Sequence, residues 1–108
     1  MNWIADVAED SGLEAQQSTE NVVDLSEFLP NDEVVSGYKL GKKVAEASGI
    51  DEYHSATIRV PDSALLLTSS FLRGFLENVA ENFEERFKFE GNVNGATLKF
   101  ALKEIRKL

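Results

Sequence analysis

Three consecutive hydroxyl side chains, those of Thr68, Ser69 and Ser70, are the residues of this sequence best suited to chemistry. They stand directly before an amphipathic stretch, which is where N-cap residues occur. A helix N-terminus has free N–H groups and a partial positive charge, so it would stabilise a phosphate on a serine there. Plain capping, a binding surface and a phosphorylation switch at Ser69 or Ser70 are three open interpretations. The candidate partner-binding site also includes four neighbours along the chain: Asp62, Ser63, Phe71 and Arg73.

Catalytic and metal-binding patterns are missing from the sequence. His54 is the only histidine, and no Gly-x-Ser-x-Gly motif offers a nucleophile for it to activate. The chain has no cysteine, which excludes disulfides, thiolate catalysis and cysteine metal sites. It also lacks a calcium-loop pattern, a zinc-ligand set and a phosphate-binding glycine motif. We therefore predict a protein without enzymatic activity, cofactor or metal, because serine or carboxylate chemistry needs a base beside its nucleophile.

The net charge of −8 is concentrated in the first third of the chain. Residues 1–37 contain nine acidic residues and no lysine or arginine, whereas residues 38–108 contain ten acidic and eleven basic residues. This distribution argues against direct nucleic-acid binding, which needs a basic surface. The acidic third is interpreted either as a solvated region or as an acidic face that meets a basic partner. No apolar run is long enough to span a membrane and no signal peptide is evident, so a cytoplasmic protein is predicted.

Apolar spacing predicts alternating strands and helices in one domain of 108 residues. Residues 1–20 are predicted to form a short helix and an acidic linker, and the domain itself to span residues 21–108. Strands are predicted at residues 21–29, at 55–60 with a buried continuation at 64–67, and at 86–90, and helices at 36–48, 70–83 and 94–108. The resulting β-α-β-α-β-α order indicates a single small α/β domain with a mainly parallel or mixed sheet.

The helix predicted after Ser70 has the strongest pattern in the chain. Its apolar residues recur with the spacing of one wide helical face and should dominate the core. They are Phe71, Leu72, Phe75, Leu76, Val79, Ala80 and Phe83.

Two stretches of this pattern resemble a known family. ATIRVPDSALLLTSSFLRGFL at residues 56–76 and SGYKLG at residues 36–41 are similar to STAS-like domains, relatives of anti-sigma-factor antagonists and sulfate-transporter C-terminal domains. The resemblance covers residues 21–108 and implies a protein-binding regulatory module, with a histidine-kinase-type ATPase or a similar regulator as its partner. In the antagonists that ATPase phosphorylates a serine in an Asp-Ser-Ser-Gly motif. Thr68 and Phe71 stand here in place of the Asp and the Gly, and a Phe after the serine is typical of the STAS-like branch.

Two functional hypotheses from different classes follow. The first is a non-catalytic, STAS-like module that acts through protein–protein contact. The second is an acidic inhibitor or immunity-type protein, of the kind that phages encode, which blocks a basic site on a nucleic-acid enzyme. Its basis is the uncompensated acidity of residues 1–37. Formation of a homo-oligomer stays open in both.

Overall fold

Strands and helices alternate along residues 21–107, which are the residues described by the computed structural model. The predicted N-terminal helix and linker at residues 1–20 lie outside the described residues, as does Leu108. The elements, in chain order, are β1 (Asn21–Asp24), β2 (Val34–Val35), α1 (Tyr38–Ser48), β3 (Ala56–Arg59), β4 (Leu66–Leu67), α2 (Ser69–Leu76), α3 (Phe83–Arg86), β5 (Phe87–Glu90) and α4 (Gly95–Arg106). Short 3-10 helices follow β1 at Leu25–Glu27 and α1 at Ile50–Glu52.

All strand pairs among these elements are parallel, and the predicted α/β class is confirmed. A three-stranded sheet has the order β1-β3-β5, and a separate two-stranded sheet pairs β2 with β4. Both connections, from β1 to β3 and from β3 to β5, step in the same direction across the sheet. Because such connections are right-handed, α1 and α2 lie on the same face.

The helix-covered face of the three-stranded sheet carries the core. Val23, Ile58 and Phe89 lie side by side across the three strands and point toward the helices. The ring of Phe75 in α2 lies 6.4 Å from that of Phe89. α2 packs against both α1 and α4, so it occupies the centre of the helical layer. It buries Phe71, Leu72, Phe75 and Leu76 completely.

The first strand is shorter than predicted, ending at Asp24 rather than at Leu29. The Asp24 carboxylate accepts a hydrogen bond from the backbone N–H of Ser26 at 3.0 Å and so caps the 3-10 helix that follows. Leu25 is fully buried in that short helix. The apolar content of this stretch therefore belongs to the core, but an aspartate turn removes it from the sheet.

The long helix predicted from Ser70 to Phe83 ends at Leu76, and this prediction was wrong in length. Val79, Ala80 and Phe83 are nevertheless buried as predicted. The backbone N–H of Val79 donates to Leu76 O at 3.0 Å, which is a tighter turn than an α-helix makes. Asn82 is not helical, with φ −124° and ψ 37°. The apolar pattern therefore predicts burial correctly along the whole stretch, but it predicts the helix correctly only as far as Leu76.

Both glycines that flank α1 have positive φ, a conformation that favours glycine. Gly37 precedes the helix with φ 108°, so the helix begins at Tyr38 rather than at Ser36. Gly49 follows it with φ 70° and donates to the carbonyl of Ala45, which confirms the predicted helix end. The predicted cap of the last helix is also confirmed, because the Asn94 side chain accepts from the backbone N–H of Thr97 at 3.0 Å.

Candidate functional site

Thr68 and Ser70 form a hydrogen-bonded pair at the start of α2. Thr68 is the N-cap, and its Oγ1 accepts from the backbone N–H of Phe71 at 3.3 Å. The two hydroxyl oxygens lie 3.0 Å apart, and Ser70 Oγ also accepts from the backbone N–H of Gly37 at 3.1 Å. The backbone N–H of Thr68 donates to Val35 O at 3.0 Å. These contacts tie the N-terminus of α2 to the turn that begins α1.

Ser69 has different surroundings from the two hydroxyl residues beside it. It is half-buried and lines a shallow depression between α2 and α4, together with Leu66, Thr68, Thr97 and Phe100. Its hydroxyl makes no hydrogen bond within residues 21–107. Of the three predicted hydroxyl residues, Ser69 is therefore the one that is open to a ligand or a modifying enzyme.

Apolar side chains are exposed around Ser69. Leu66 is 43% exposed and Phe100 is 52% exposed. Val34, which is the parallel-strand partner of Leu66, is 54% exposed. The predicted burial of residues 64–67 is confirmed at Ala64 and Leu67 but is wrong at Leu65 and Leu66, which are exposed. β4 pairs only with the short β2, and no element within residues 21–107 buries Leu66. We call Val34, Leu66, Ser69, Thr97 and Phe100 together the Leu66–Phe100 surface.

Two other predicted site residues lie away from this surface. Phe71 is fully buried, and its ring stacks on that of Phe75 with centroids 5.8 Å apart, so its side chain belongs to the core. Arg73 is exposed on α2. The large aromatic residue after the serines is thus structural.

Asp62 and Ser63 are exposed in the loop between β3 and β4. Asp62 lines a second shallow depression at the carboxyl ends of the three-stranded sheet, together with Asp24, Arg59 and Glu90. Thr68 and Ser69 thus line one depression and Asp62 lines another, so the structure does not bring the predicted site residues into one site.

The last residues of the three strands form a charged row that the sequence reasoning missed. Asp24, Arg59 and Glu90 are aligned across the sheet, and Arg59 Nε lies 2.8 Å from Glu90 Oε1. The Ser26 N–H lowers the pKa of Asp24, and the Glu90 carboxylate raises the pKa of Arg59. Each strand ends in a charged residue in the sequence, but only the strand register places the three side by side.

A third polar cluster joins α1 to the end of α2. The Glu77 carboxylate accepts from the Tyr38 hydroxyl and from Lys42 Nζ, the latter at 3.2 Å. The Tyr38 hydroxyl is the main cause of a lowered pKa at Glu77, and the Glu77 carboxylate raises the pKa values of both Tyr38 and Lys42. The cluster connects the start of α1 to the end of α2 on the surface.

Metal sites, the single histidine and membrane-spanning helices were the remaining features to locate within the described part of the chain. Residues 21–107 contain no group of three histidine, aspartate or glutamate side chains arranged to hold a metal ion. His54 is an exposed loop residue whose carbonyl accepts from Arg86 Nε at 3.0 Å. None of the described helices is long and apolar enough to cross a membrane.

Comparison with known proteins found no match to this chain. No protein-family model matches it, and it has no match among the curated proteins or the solved structures. The resemblance to STAS-like domains therefore remains a prediction from the sequence.

Proposed function

We propose that this chain is a non-catalytic, cytoplasmic regulatory module, resembling STAS-like domains, that binds a partner protein through the Leu66–Phe100 surface. The observation that carries the proposal is the exposure of Leu66 and Phe100 around the open hydroxyl of Ser69. Exposed apolar side chains that cluster instead of standing alone are typical of interaction sites. Aromatic anchors such as Phe100 supply much of the free energy of protein association.

The position and charge of the surface favour a particular kind of partner. The surface includes Val34 of β2 and Leu66 of β4 and extends past the end of β4 to Ser69, and ligands of parallel α/β folds usually bind beyond the carboxyl ends of strands. Lys99 and Lys103 are exposed on α4, next to Phe100 and one turn beyond it. A partner segment that inserts an apolar side chain beside Leu66 and carries acidic residues at its edge would complement both features.

The hydrogen bonding at the start of α2 supports a binding role over a catalytic one. The Thr68 and Ser70 hydroxyls contact each other and backbone groups, and neither contacts a histidine or a carboxylate. A serine nucleophile needs such a base to become reactive. These hydroxyls therefore serve to hold the surface in place.

Phosphorylation of Ser69 is the regulatory step that this geometry would accommodate. A phosphate adds up to about −2 charge and would stand in the open depression beside Leu66 and Phe100. On Ser70 the same group would displace the Gly37 N–H and the Thr68 hydroxyl. We expect Ser69→Asp to change partner affinity relative to Ser69→Ala, and intact-mass measurement after incubation with the ATPase to show one added phosphate in the wild type.

The partner class comes from the family resemblance, so the test begins with recovery of a histidine-kinase-type ATPase by pull-down and its identification by mass spectrometry. The purified ATPase is then titrated calorimetrically with the wild type and with variants of the surface. Leu66→Ser and Phe100→Ser are each expected to weaken binding about tenfold or more. Ala47→Ser, an exposed position on α1, is the control and should bind as the wild type does. Unchanged affinity of both surface variants would refute the proposal.

The acidic inhibitor is the second candidate, and the second depression favours it. Asp24, Asp62 and Glu90 line that depression with Arg59 as their only basic neighbour there. Glu27, in the 3-10 helix after β1, and Asp32 and Glu33, in the loop that follows it, are also exposed. Such a surface would meet a basic partner, with strongly salt-dependent affinity. Loss of binding on removal of residues 1–20 from a still-folded protein, or in Asp62→Asn with Glu90→Gln, would favour the inhibitor over the STAS-like module.

A further inference from the structure

The three-stranded sheet has an outer face opposite its helices. Strand residues alternate between the two faces, so the neighbours of the core row point outward. Val22, Thr57 and Lys88 form one outward row across β1, β3 and β5. We call these three residues the outer row.

Helices α1 and α2 do not cover this row. The ring of Phe75 in α2 lies against Phe89, which faces the opposite side of the sheet from Lys88. Right-handed connections place α1 on the same side as α2, and α4 packs on α2. The helical layer described above is therefore confined to one side of the sheet.

Parallel sheets are almost always covered on both faces, because their connections usually place helices on each side. The central residue of the outer row is buried. Thr57 is only 5% exposed although it is polar, while Val22 at the sheet edge is 48% exposed. A further segment is therefore expected to pack on this side.

We propose that residues 1–20 of this chain dock on the outer row, with Trp3 packed beside Val22 and Thr57. Asn21 begins β1, an edge strand of this sheet, so the preceding segment leaves the fold at the border of this face. Twenty residues are long enough to cross the sheet and return, because neighbouring strands are only about 4.8 Å apart. The segment has the apolar spacing of one helical face at Trp3, Ile4, Val7 and Ala8.

Charge supports the same occupant. The first twenty residues contain five acidic residues and no lysine or arginine. Lys88 supplies a positive charge at one end of the outer row. The next row on the same face consists of Asp24, Arg59 and Glu90 and carries a net negative charge, so the acidic segment complements this face at its Lys88 end.

Trp3 is the only tryptophan in the protein, so its fluorescence reports the docking directly in the full chain. We expect emission at shorter wavelength than that of the denatured chain and several-fold weaker acrylamide quenching, both independent of protein concentration. Val22→Asp and Lys88→Glu are expected to return emission and quenching toward the denatured values. Phe100→Ala alters the other exposed apolar surface and is the matched control, with no change expected in Trp3 fluorescence.

Three results would overturn the proposal. The first is solvent-like Trp3 emission in the folded wild type. The second is a response to Phe100→Ala without a response to Val22→Asp, which would place the segment on the Leu66–Phe100 surface. The third is a blue shift that appears only at high protein concentration, which would place the segment on a second copy. Circular dichroism of each variant ensures that a red shift does not come from unfolding. None of these three results would by itself refute the proposed partner binding, because that proposal is tested by the affinity of variants in the Leu66–Phe100 surface.

Discussion

Gly41 of α1 and Gly74 of α2 lie against each other's helix backbone where the two helices cross. A Cβ atom at Gly41 would overlap the carbonyl oxygen of Phe71, and one at Gly74 would overlap the carbonyl oxygen of Tyr38. The absence of side chains at both positions lets the two helices approach closely. The same approach brings Gly37 within hydrogen-bond distance of Ser70, so this crossing determines the geometry at the start of α2.

Alanine at either glycine is expected to destabilise the protein. The clash involves backbone atoms that cannot rotate away, so we expect a loss of about 3 kcal/mol in the free energy of unfolding for Gly41→Ala or Gly74→Ala. Urea denaturation followed by circular dichroism measures it. Gly95→Ala is the control, because a Cβ there has no neighbour within 4 Å. Equal stability of all three variants would show that the helices have room to separate.

Ser70 and Ser69 are expected to differ in their effect on stability. Ser70→Ala leaves the half-buried N–H of Gly37 without its acceptor and should cost about 1 kcal/mol. Ser69→Ala removes a hydroxyl that makes no hydrogen bond within residues 21–107 and should stay within about 0.5 kcal/mol of the wild type. The urea midpoints of the two variants provide the comparison. A larger loss for Ser69→Ala would contradict the structural role assigned to Ser70.

The Tyr38–Glu77 hydrogen bond predicts how stability depends on pH. The pKa of Glu77 is lowered from 4.5, so its contribution is present above pH 4.5 and is lost as the pH falls through the folded-state value. The pKa of Tyr38 is raised from 10.0, so its contribution is present below pH 10.0 and is lost as the pH rises through the folded-state value.

Tyr38→Phe is therefore expected to lower stability most in the pH range between these two pKa values and to make stability less dependent on pH at both ends of that range. The difference between its urea midpoint and that of the wild type should be largest near neutral pH and should shrink toward both extremes. Tyr53→Phe is the control, because the Tyr53 hydroxyl makes no hydrogen bond within residues 21–107. A difference for Tyr38→Phe that stays constant with pH would mean that the contact with Glu77 contributes nothing.

Arg106 is expected to stabilise the turn that ends the buried apolar run. Its Nε donates to the carbonyl of Ala80 at 3.0 Å, and its Nη2 lies 2.7 Å from Glu84 Oε1. Arg106→Ala leaves the carbonyl of the buried Ala80 unpaired, and we expect a loss of about 1–3 kcal/mol. Lys107→Ala breaks only an exposed pair with Glu104 and should cost less than about 0.5 kcal/mol. A loss in Arg106→Ala that disappears in high salt would assign the effect to Glu84 alone.

Local patterns in the sequence predicted much of the fold correctly. Alternation at residues 86–90 predicted β5, and Asn94 and Gly49 marked the start and end of helices where the structure has them. These features depend on a few neighbouring residues, since caps and alternation act over one or two turns. The parallel sheet followed from the order of the elements, because right-handed connections allow few alternatives.

The errors arose where distant parts of the chain compete with a local pattern. The run from Phe71 to Phe83 is apolar at helical spacing throughout, but the helix ends at Leu76 because the chain must turn back to place Phe87 beside Ala56. The apolar run at residues 64–67 looked like a buried strand, but Leu66 faces solvent at a two-residue pairing. An apolar residue in the sequence does not reveal whether a neighbour covers it.

The amino-acid sequence by itself determined the α/β class, a hydroxyl cap among Thr68, Ser69 and Ser70, and an acidic first third without lysine or arginine. Only the tertiary structure decided which of the three hydroxyls is open, because Ser70 is taken up by Gly37, a residue 33 positions earlier in the chain. It also placed Phe71 in the core, gathered Leu66 and Phe100 around Ser69, and aligned Asp24, Arg59 and Glu90. Propensity and capping act over a few residues, whereas exposure and register depend on which distant elements pack together.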